Sequence, residues 1–321
     1  MPKEPANKDR FLVEALRAIS QERDIEFSSF SHDWIIRLHR DGSTHYVYGY
    51  NFDFNPAAAA SIANDKSALS DILKQHGVPH VEHVLFIAPK LSKYLGSTGN
   101  WNRAMEFVER LGYPVVCKTN QGTSGNSVFK IKNQTELEAA FQRLHEVARG
   151  LALSPFYSID AEYRVILLRG SALLCYKKER SCVTGDGRST FFELLQSNCA
   201  TEPEVLEAAL EEPCFPLDEV PSEDQEITIT WKHNLSKGAT PQFSLYPEIQ
   251  QSIVTLAQAA CSATGMQFAS VDVIQTGKDL KIIEVNAGVC LEHISQFSDE
   301  GRQRAMDVYT QAVDAMFGLE N

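Results

Sequence analysis

Three oxygen-bearing side chains, Asp272, Glu284 and Asn286, fall within one short stretch of the chain. The run Ser270-Val271-Asp272-Val273-Ile274-Gln275 and the run Leu280-Lys281-Ile282-Ile283-Glu284-Val285-Asn286 flank a turn at Gly277-Lys278. Together they read as a β-hairpin. Pairing Val271 with Val285 and Val273 with Ile283 makes one face apolar. The same register sets Asp272 opposite Glu284 on the other face, with Asn286 two residues further on. A slip of one residue would turn carboxylates into the apolar face. Like charges placed directly opposite each other repel. A hard cation resolves that conflict, and Mg²⁺ takes oxygen ligands, commonly one or two carboxylates beside substrate phosphates. A solvated hairpin face is the plain alternative.

Lys118 closes the β-branched run Val115-Val116-Cys117 and precedes Gln121-Gly122-Thr123-Ser124-Gly125-Asn126-Ser127. Glycines let backbone N–H groups approach a phosphate, and a lysine supplies a point charge. Lys118, Gly122, Ser124 and Gly125 are therefore candidate phosphate contacts, although the stretch is no Walker A motif and an ordinary turn would look the same. Asn64-Asp65-Lys66 reads by itself as a helix cap with surface charge. Lys177, Lys178 and Arg180 read as a solvated face. Lys232-His233-Asn234, before the Gly238 turn, could hold a phosphate or an oxyanion. His80-x-x-His83 has the spacing of a metal pair but no evident third ligand.

The elements that must position these groups follow from periodicity. Helical spacing covers 8–22, 57–76, 201–212, 247–264 and 300–317. Two β-rich runs around Asp41-Gly42 read as a hairpin. Further strands are expected at 84–87, 115–118, 128–131, 163–168, 172–176 and 227–231. Thr135-x-x-Glu138 reads as a capping box for a helix reaching about Ala148.

Taken in order, these pieces resemble the ATP-grasp superfamily, in particular the ligase portion shared by cyanophycin synthetases and bifunctional glutathione synthetases. The resemblance spans about residues 35–317. It rests on Asp41-Gly42-x-Thr44-His45-Tyr46, Gly49 to Asn55, Asp65-Lys66 with Gly77-Val78-Pro79, and Tyr113-Pro114 through Lys118. Glu162-Tyr163-Arg164, Asn234-Leu235-Ser236-x-Gly238 and Glu284-Val285-Asn286 extend it. Val183-Thr184-Gly185-Asp186-Gly187-Arg188-Ser189-Thr190 with Glu193-Leu194-Leu195 is its more specific part.

The resemblance implies an α+β ATP-grasp fold, with two α+β subdomains clamping ATP behind a short N-terminal segment. The implied units are an N-terminal helix and hairpin (1–60), a linking helix and strand (61–99), a lid (100–157) and a C-terminal subdomain with the metal site (158–321). Lys66 and Lys118 would contact ATP phosphates. Asp272, Glu284 and Asn286 would hold one or two Mg²⁺ ions, with Mn²⁺ as an alternative. Arg164, Lys232 and Asn234 would face the transferring phosphate. The implied activity is amide-bond formation between a carboxylate and an amine, through an acyl phosphate. A small-molecule kinase and a non-catalytic nucleotide-binding protein are the competing readings. Two departures stand out. The glutamate expected of an adenine-binding hinge is not evident in Leu151-Ala152-Leu153-Ser154-Pro155, and the Pro-Gly expected after the metal asparagine is replaced by Ala287-Gly288-Val289.

Bulk properties agree with that reading. The 321 residues are 43% hydrophobic and 22% charged, with a formal net charge of −12. A net-acidic surface argues against nucleic acid or anionic membrane as partner. No run approaches the roughly 20 apolar residues of a membrane span. Seven scattered cysteines with no CxxC pair suit reduced thiols in the cytoplasm. The short N-terminal segment suggests a homodimer.

Overall fold

The computed structural model describes residues 10–87, 101–122, 127–200 and 202–319. Helix α1 (Phe11–Glu22) buries Phe11, Leu12, Leu16 and Ile19, the stripe its spacing predicts. It is followed by an antiparallel meander of β1 (Glu26–Phe30), β2 (Ile35–Arg40), β3 (Ser43–Tyr48) and β4 (Asn51–Phe52). The β2–β3 turn is Asp41-Gly42, both with positive φ, as a two-residue hairpin turn that matches strand twist requires.

The region 57–76, expected as one helix, is two: α2 (Ala57–Asn64) and α3 (Lys66–Gln75). They break at Asp65, whose backbone is extended and whose carboxylate accepts from the Ala68 N–H at 2.9 Å. The cap is present and marks the start of a second helix, but Lys66 beside it is buried and is not the surface charge expected.

A four-stranded antiparallel sheet follows in the order β5-β8-β6-β7, made of β5 (Val84–Ile87), β6 (Val115–Thr119), β7 (Val128–Ile131) and β8 (Gly150–Pro155). Helices α4 (Trp101–Leu111) and α5 (Gln134–Val147) close its core, with Phe107, Leu137 and Phe141 packed on Val115, Cys117 and Leu153. The α5 cap is Asn133, accepting from Glu136 N–H, two residues before the expected Thr135 box. Asn133 has the extended backbone of a cap, and Thr135 is already the second residue of the helix.

The C-terminal part is built on a five-stranded antiparallel sheet. Its hairpins are β9 (Ala161–Leu168) with β10 (Ser171–Glu179), and β14 (Phe268–Thr276) with β15 (Asp279–Asn286). Between them the chain forms β11 (Cys182–Thr184), α6 (Phe191–Asn198), α7 (Pro203–Glu211), β12 (Glu226–Thr228), β13 (Thr240–Gln242) and α8 (Pro247–Thr264). Short α9 (Glu292–Phe297) and long α10 (Asp299–Phe317) end it. The sheet order is β13-β10-β9-β14-β15.

One face of this sheet is apolar at its centre: Tyr163, Val165, Val271, Val273 and Val285 pack on Ile253 and Ala257 of α8. The opposite face is divided. Towards one end Ile166, Leu168, Tyr176 and Phe268 join α1, α10 and the N-terminal sheet in a second core. Towards the other end that face carries Glu162, Arg164, Lys178, Asp272 and Glu284. No helix among the described residues is long and apolar enough to cross a membrane, and all seven cysteines are free.

Candidate functional site

Register brings the charged residues together. β9 lies between β10 and β14, so Arg164 is opposite both Tyr176 and Asp272, and Lys178 is opposite Glu162. Asp272 is opposite Glu284, and Asn286 is opposite Ser270. The expected Val271–Val285 and Asp272–Glu284 pairs are both present. Val273, however, pairs with Ile282, not with Ile283, because Ile283 is the extra residue of a β-bulge.

Asp272 is buried and fully engaged. Arg164 donates to it twice, from Nε to Oδ1 at 2.7 Å and from Nη2 to Oδ2 at 2.8 Å. Lys178 Nζ lies 3.0 Å from the same Oδ2 and 2.6 Å from Glu162 Oε1. Burial alone would raise the Asp272 carboxyl, but Arg164 and Lys178 hold it well below the usual carboxylate range. Lys178 is only 3% exposed and is not the solvated side chain its sequence context suggested. Burial and Arg164 work against its charge, yet Asp272 and Glu162 keep its pKa above the ordinary value.

β6 and α3 add two more cations. Lys66 Nζ lies 3.6 Å from Glu284 Oε1 and donates to the Gly122 carbonyl at 2.8 Å. Its backbone N–H donates to the Asn120 carbonyl, and the Asn120 side chain accepts from Ser67 N–H. Lys118 is buried, with 7% exposure. Burial pushes its ammonium down to about 8; Glu284 pulls against that shift and Lys66 adds to it. The cluster thus holds four cations (Lys66, Lys118, Arg164, Lys178) and three carboxylates (Glu162, Asp272, Glu284). That local positive excess, inside a chain of net charge −12, suits a polyanion.

The donor set can be weighed against a hard divalent ion. Glu284 keeps 27% of its side chain exposed; among the described residues its ion pair is the 3.6 Å approach of Lys66, with Lys118 acting on it at longer range. Asn286 is part-exposed, and its side chain makes no hydrogen bond among the described residues. Two oxygen donors two residues apart on one strand, open towards the lysines, fit a Mg²⁺ ion that keeps phosphate and water ligands. Asp272 stands beside them, but it would have to exchange a cationic partner to ligate.

Other expectations fare differently. Gly122 offers Lys66 its carbonyl. Ser124 and Gly125 lie outside the described residues. Lys232 and Asn234 make no hydrogen bond or ion pair to the cluster among the described residues; Lys232 Nζ lies 5.8 Å from the Trp231 ring, and the Asn234 carbonyl accepts from Lys237 N–H in a 3-10 turn. His80 Nδ1 bonds the Val78 carbonyl at 2.8 Å. His83 is buried beside Lys118 and Lys66, and burial with those two charges keeps it neutral. No group of three or more His, Cys, Asp or Glu among the described residues could hold a metal.

No family model matches the chain. It is 25% identical over 298 residues to the cyanophycin synthetase of Trichormus variabilis, covering 86% of this chain and 32% of that protein. A second cyanophycin synthetase, from Synechocystis, is 26% identical over 201 residues. The chain therefore spans about a third of the length of the curated relatives it matches. Among solved structures, a bifunctional glutathione synthetase from Pasteurella multocida superposes with a TM-score of 0.55 over 98% of this chain and 45% of its own, at 16% identity. The D-alanine–D-alanine ligase of Bacillus anthracis gives 0.54 over 82% and 69%, at 13% identity. The chain is thus a distant relative of the cyanophycin synthetases, and its fold is that of the ATP-grasp ligases.

Proposed function

We propose that this protein is an ATP-dependent ligase that joins a small carboxylate to an amine, with amino acids or short peptides as substrates. The observation that carries this reading is the cation-rich cluster between lid and sheet, with Glu284 and Asn286 left open at its edge.

Lys66 and Lys118 bind the nucleotide phosphates from opposite elements, α3 and β6. Glu284 and Asn286, with Asp272, would hold a divalent ion, which when bound neutralises phosphate charge. Arg164 and Lys178 face the charge that develops on the transferred phosphoryl group, Lys178 staying with Glu162 while one of the two cations yields an Asp272 oxygen to the ion. The carboxylate oxygen takes the γ-phosphoryl group to give an acyl phosphate, and the amine displaces phosphate. The lid sheet keeps water from the acyl phosphate.

Phosphate release with MgATP, screened over pairs of carboxylates and amines with mass spectrometry of the products, tests this. An amide product is expected, with phosphate release that depends on both substrates. ADP formation with a phosphorylated product and no dependence on amine would replace the ligase by a kinase.

A further inference from the structure

At the end of β9 and β10 remote from the charged cluster, a cavity of about 610 Å³ opens between the N-terminal and C-terminal parts of the chain. Its wall holds Arg23 just after α1, Arg40 at the end of β2, Arg169 in the β9–β10 turn and Asp314 near the end of α10. Leu168, Leu173 and Leu319 give it an apolar side. This place is separate from the phosphoryl-facing cluster. Leu168 is four residues beyond Arg164 on β9, about 13 Å at the rise of a strand. Ile166 and its β10 partner Leu174 lie between the two and belong to the buried core.

Three guanidinium groups against one carboxylate leave two positive charges over, in a chain of net charge −12. Glu22 and Asp41 approach Arg23 and Arg40 at 4.0 and 3.2 Å, but both are exposed and neither lines the cavity. Such surface pairs hold little energy. Arg23 is held by both oxygens of Asp314, at 2.8 and 3.1 Å. Arg169 donates from Nη2 to the Ala315 carbonyl at 2.9 Å and lies 5.4 Å from the Phe54 ring. Arg40 meets Asp41 through Nε, and its Nη1 and Nη2 make no hydrogen bond among the described residues. All the cations of the wall are arginines, whose forks match phosphate oxygens two at a time. Arg169 also has a backbone φ of 48°, where Asn or Gly would fit a two-residue hairpin turn with less strain. The Ala315 carbonyl gives one reason for an arginine there, and a ligand in the cavity gives a second.

We infer that this cavity binds a small organic phosphomonoester, at a site distinct from the nucleotide cluster. A phosphomonoester carries about −1.5 to −2 charges at pH 7, which matches the surplus of the wall. Its oxygens accept from Arg40 and Arg169, while Arg23 stays with Asp314 and adds its field. Its carbon body lies against Leu168 and Leu173. A cavity of this volume takes a molecule larger than phosphate itself. The inference concerns binding alone, involves no bond-making step, and stands or falls independently of the ligase reading.

Calorimetric titration of the full chain with ribose 5-phosphate tests this, with ribose, inorganic phosphate and succinate as comparison probes. Ribose 5-phosphate is expected to bind and ribose is not. Inorganic phosphate, which leaves the leucines uncovered, should bind at least about tenfold more weakly. Arg40→Gln and Arg169→Asn should each weaken ribose 5-phosphate binding at least about tenfold. Both should melt as wild type does, since Arg40 is part-exposed and Asn tolerates the left-handed backbone of position 169. Lys118→Met, which alters the nucleotide cluster, should leave this binding within about twofold. No binding at millimolar concentration, or full binding by both arginine variants, overturns the site. Loss in Lys118→Met with none in the arginine variants puts the phosphate in the nucleotide cluster instead. Inorganic phosphate bound as tightly as ribose 5-phosphate would mean an adventitious ion only, and succinate bound as tightly would overturn the choice of a phosphomonoester.

Discussion

The two hairpins that meet at β9 and β14 are built alike, yet only one is readable from the residues. In β14–β15 the turn sets Thr276 opposite Asp279, and uninterrupted counting would give Asp272 the partner Ile283. The bulge at Ile283 gives it Glu284 instead. In β9–β10 the turn sets Leu168 opposite Ser171, and uninterrupted counting would give Lys178 the partner Ala161. The bulge at Leu173 gives it Glu162. Side chains alternate with period two, so one extra residue changes which face the rest of the strand shares with its partner. The charged cluster is therefore set by two register shifts in rigid strands, with loops as secondary contributors.

Removing the bulges is the hardest test of this comparison. With Leu173 deleted, Ala172 and Leu174 follow each other opposite Leu167 and Ile166, so Lys178 keeps Glu162. With Ile283 deleted, Ile282 and Glu284 follow each other opposite Val273 and Asp272, so Asp272 keeps Glu284. Each deletion is expected to unfold in one cooperative thermal transition and to keep MgATP binding. A cooperatively folded Leu173 deletion that no longer binds MgATP would show that the extra residue does more than set the register.

Next in size is the contrast between the two carboxylates of the second hairpin. Asp272 is compensated inside the protein and Glu284 is left open. Asp272→Asn leaves Arg164 and Lys178 buried with one carboxylate fewer, and urea unfolding should show a loss of about 3–5 kcal/mol. Glu284→Gln removes only a long contact to a part-exposed side chain, and should cost no more than about 1 kcal/mol. Its turnover should nevertheless fall at least about 100-fold. Similar stability losses in the two variants would erase the distinction.

A smaller effect separates neighbours in the first hairpin. Lys178 is buried against Glu162 and Asp272, whereas Lys177 is part-exposed and pairs with Glu179 on its own strand. Lys178→Met keeps the aliphatic stem, so the fold should survive, but MgATP turnover should fall at least about tenfold. Lys177→Met should stay within about twofold. Equal rates for the two would return Lys178 to the solvated surface.

These contrasts also explain what the sequence disclosed. The faces of β14–β15 were legible because Val271, Val273 and Val285 alternate with polar residues, and that pattern survives a bulge. Ala172-Leu173-Leu174-Cys175-Tyr176 is apolar at successive positions, so nothing in it marks which residue is extra, and Lys178 read as surface. The long helices α8 and α10 were legible from periodicity. The strand β8 was not, because Leu151-Ala152-Leu153 has no alternation and pairs on both sides in the lid. Lys66 carried no chemical signal beyond its cap; its place depends on a tertiary contact with Gly122.

The finest test concerns the lid side of the cluster, where compensation is least complete. Burial holds the Lys118 ammonium near 8, below its ordinary value of 10.5, because Glu284 offsets only part of the desolvation. A phosphate chain beside Lys118 favours its charged form, so docking must raise that pKa. At pH 6.5 the free protein already carries the charge and this group takes up nothing. At pH 9 most free molecules have lost it, so binding must draw in close to one proton, and affinity must fall as pH climbs past 8. Calorimetry of MgATP binding at both pH values, in buffers of different ionisation enthalpy, reads the uptake directly. Lys118→Met should abolish it. Uptake that persists in that variant would mean the proton enters elsewhere, and the lid would then be as fully compensated as the Arg164–Asp272–Lys178 group it faces.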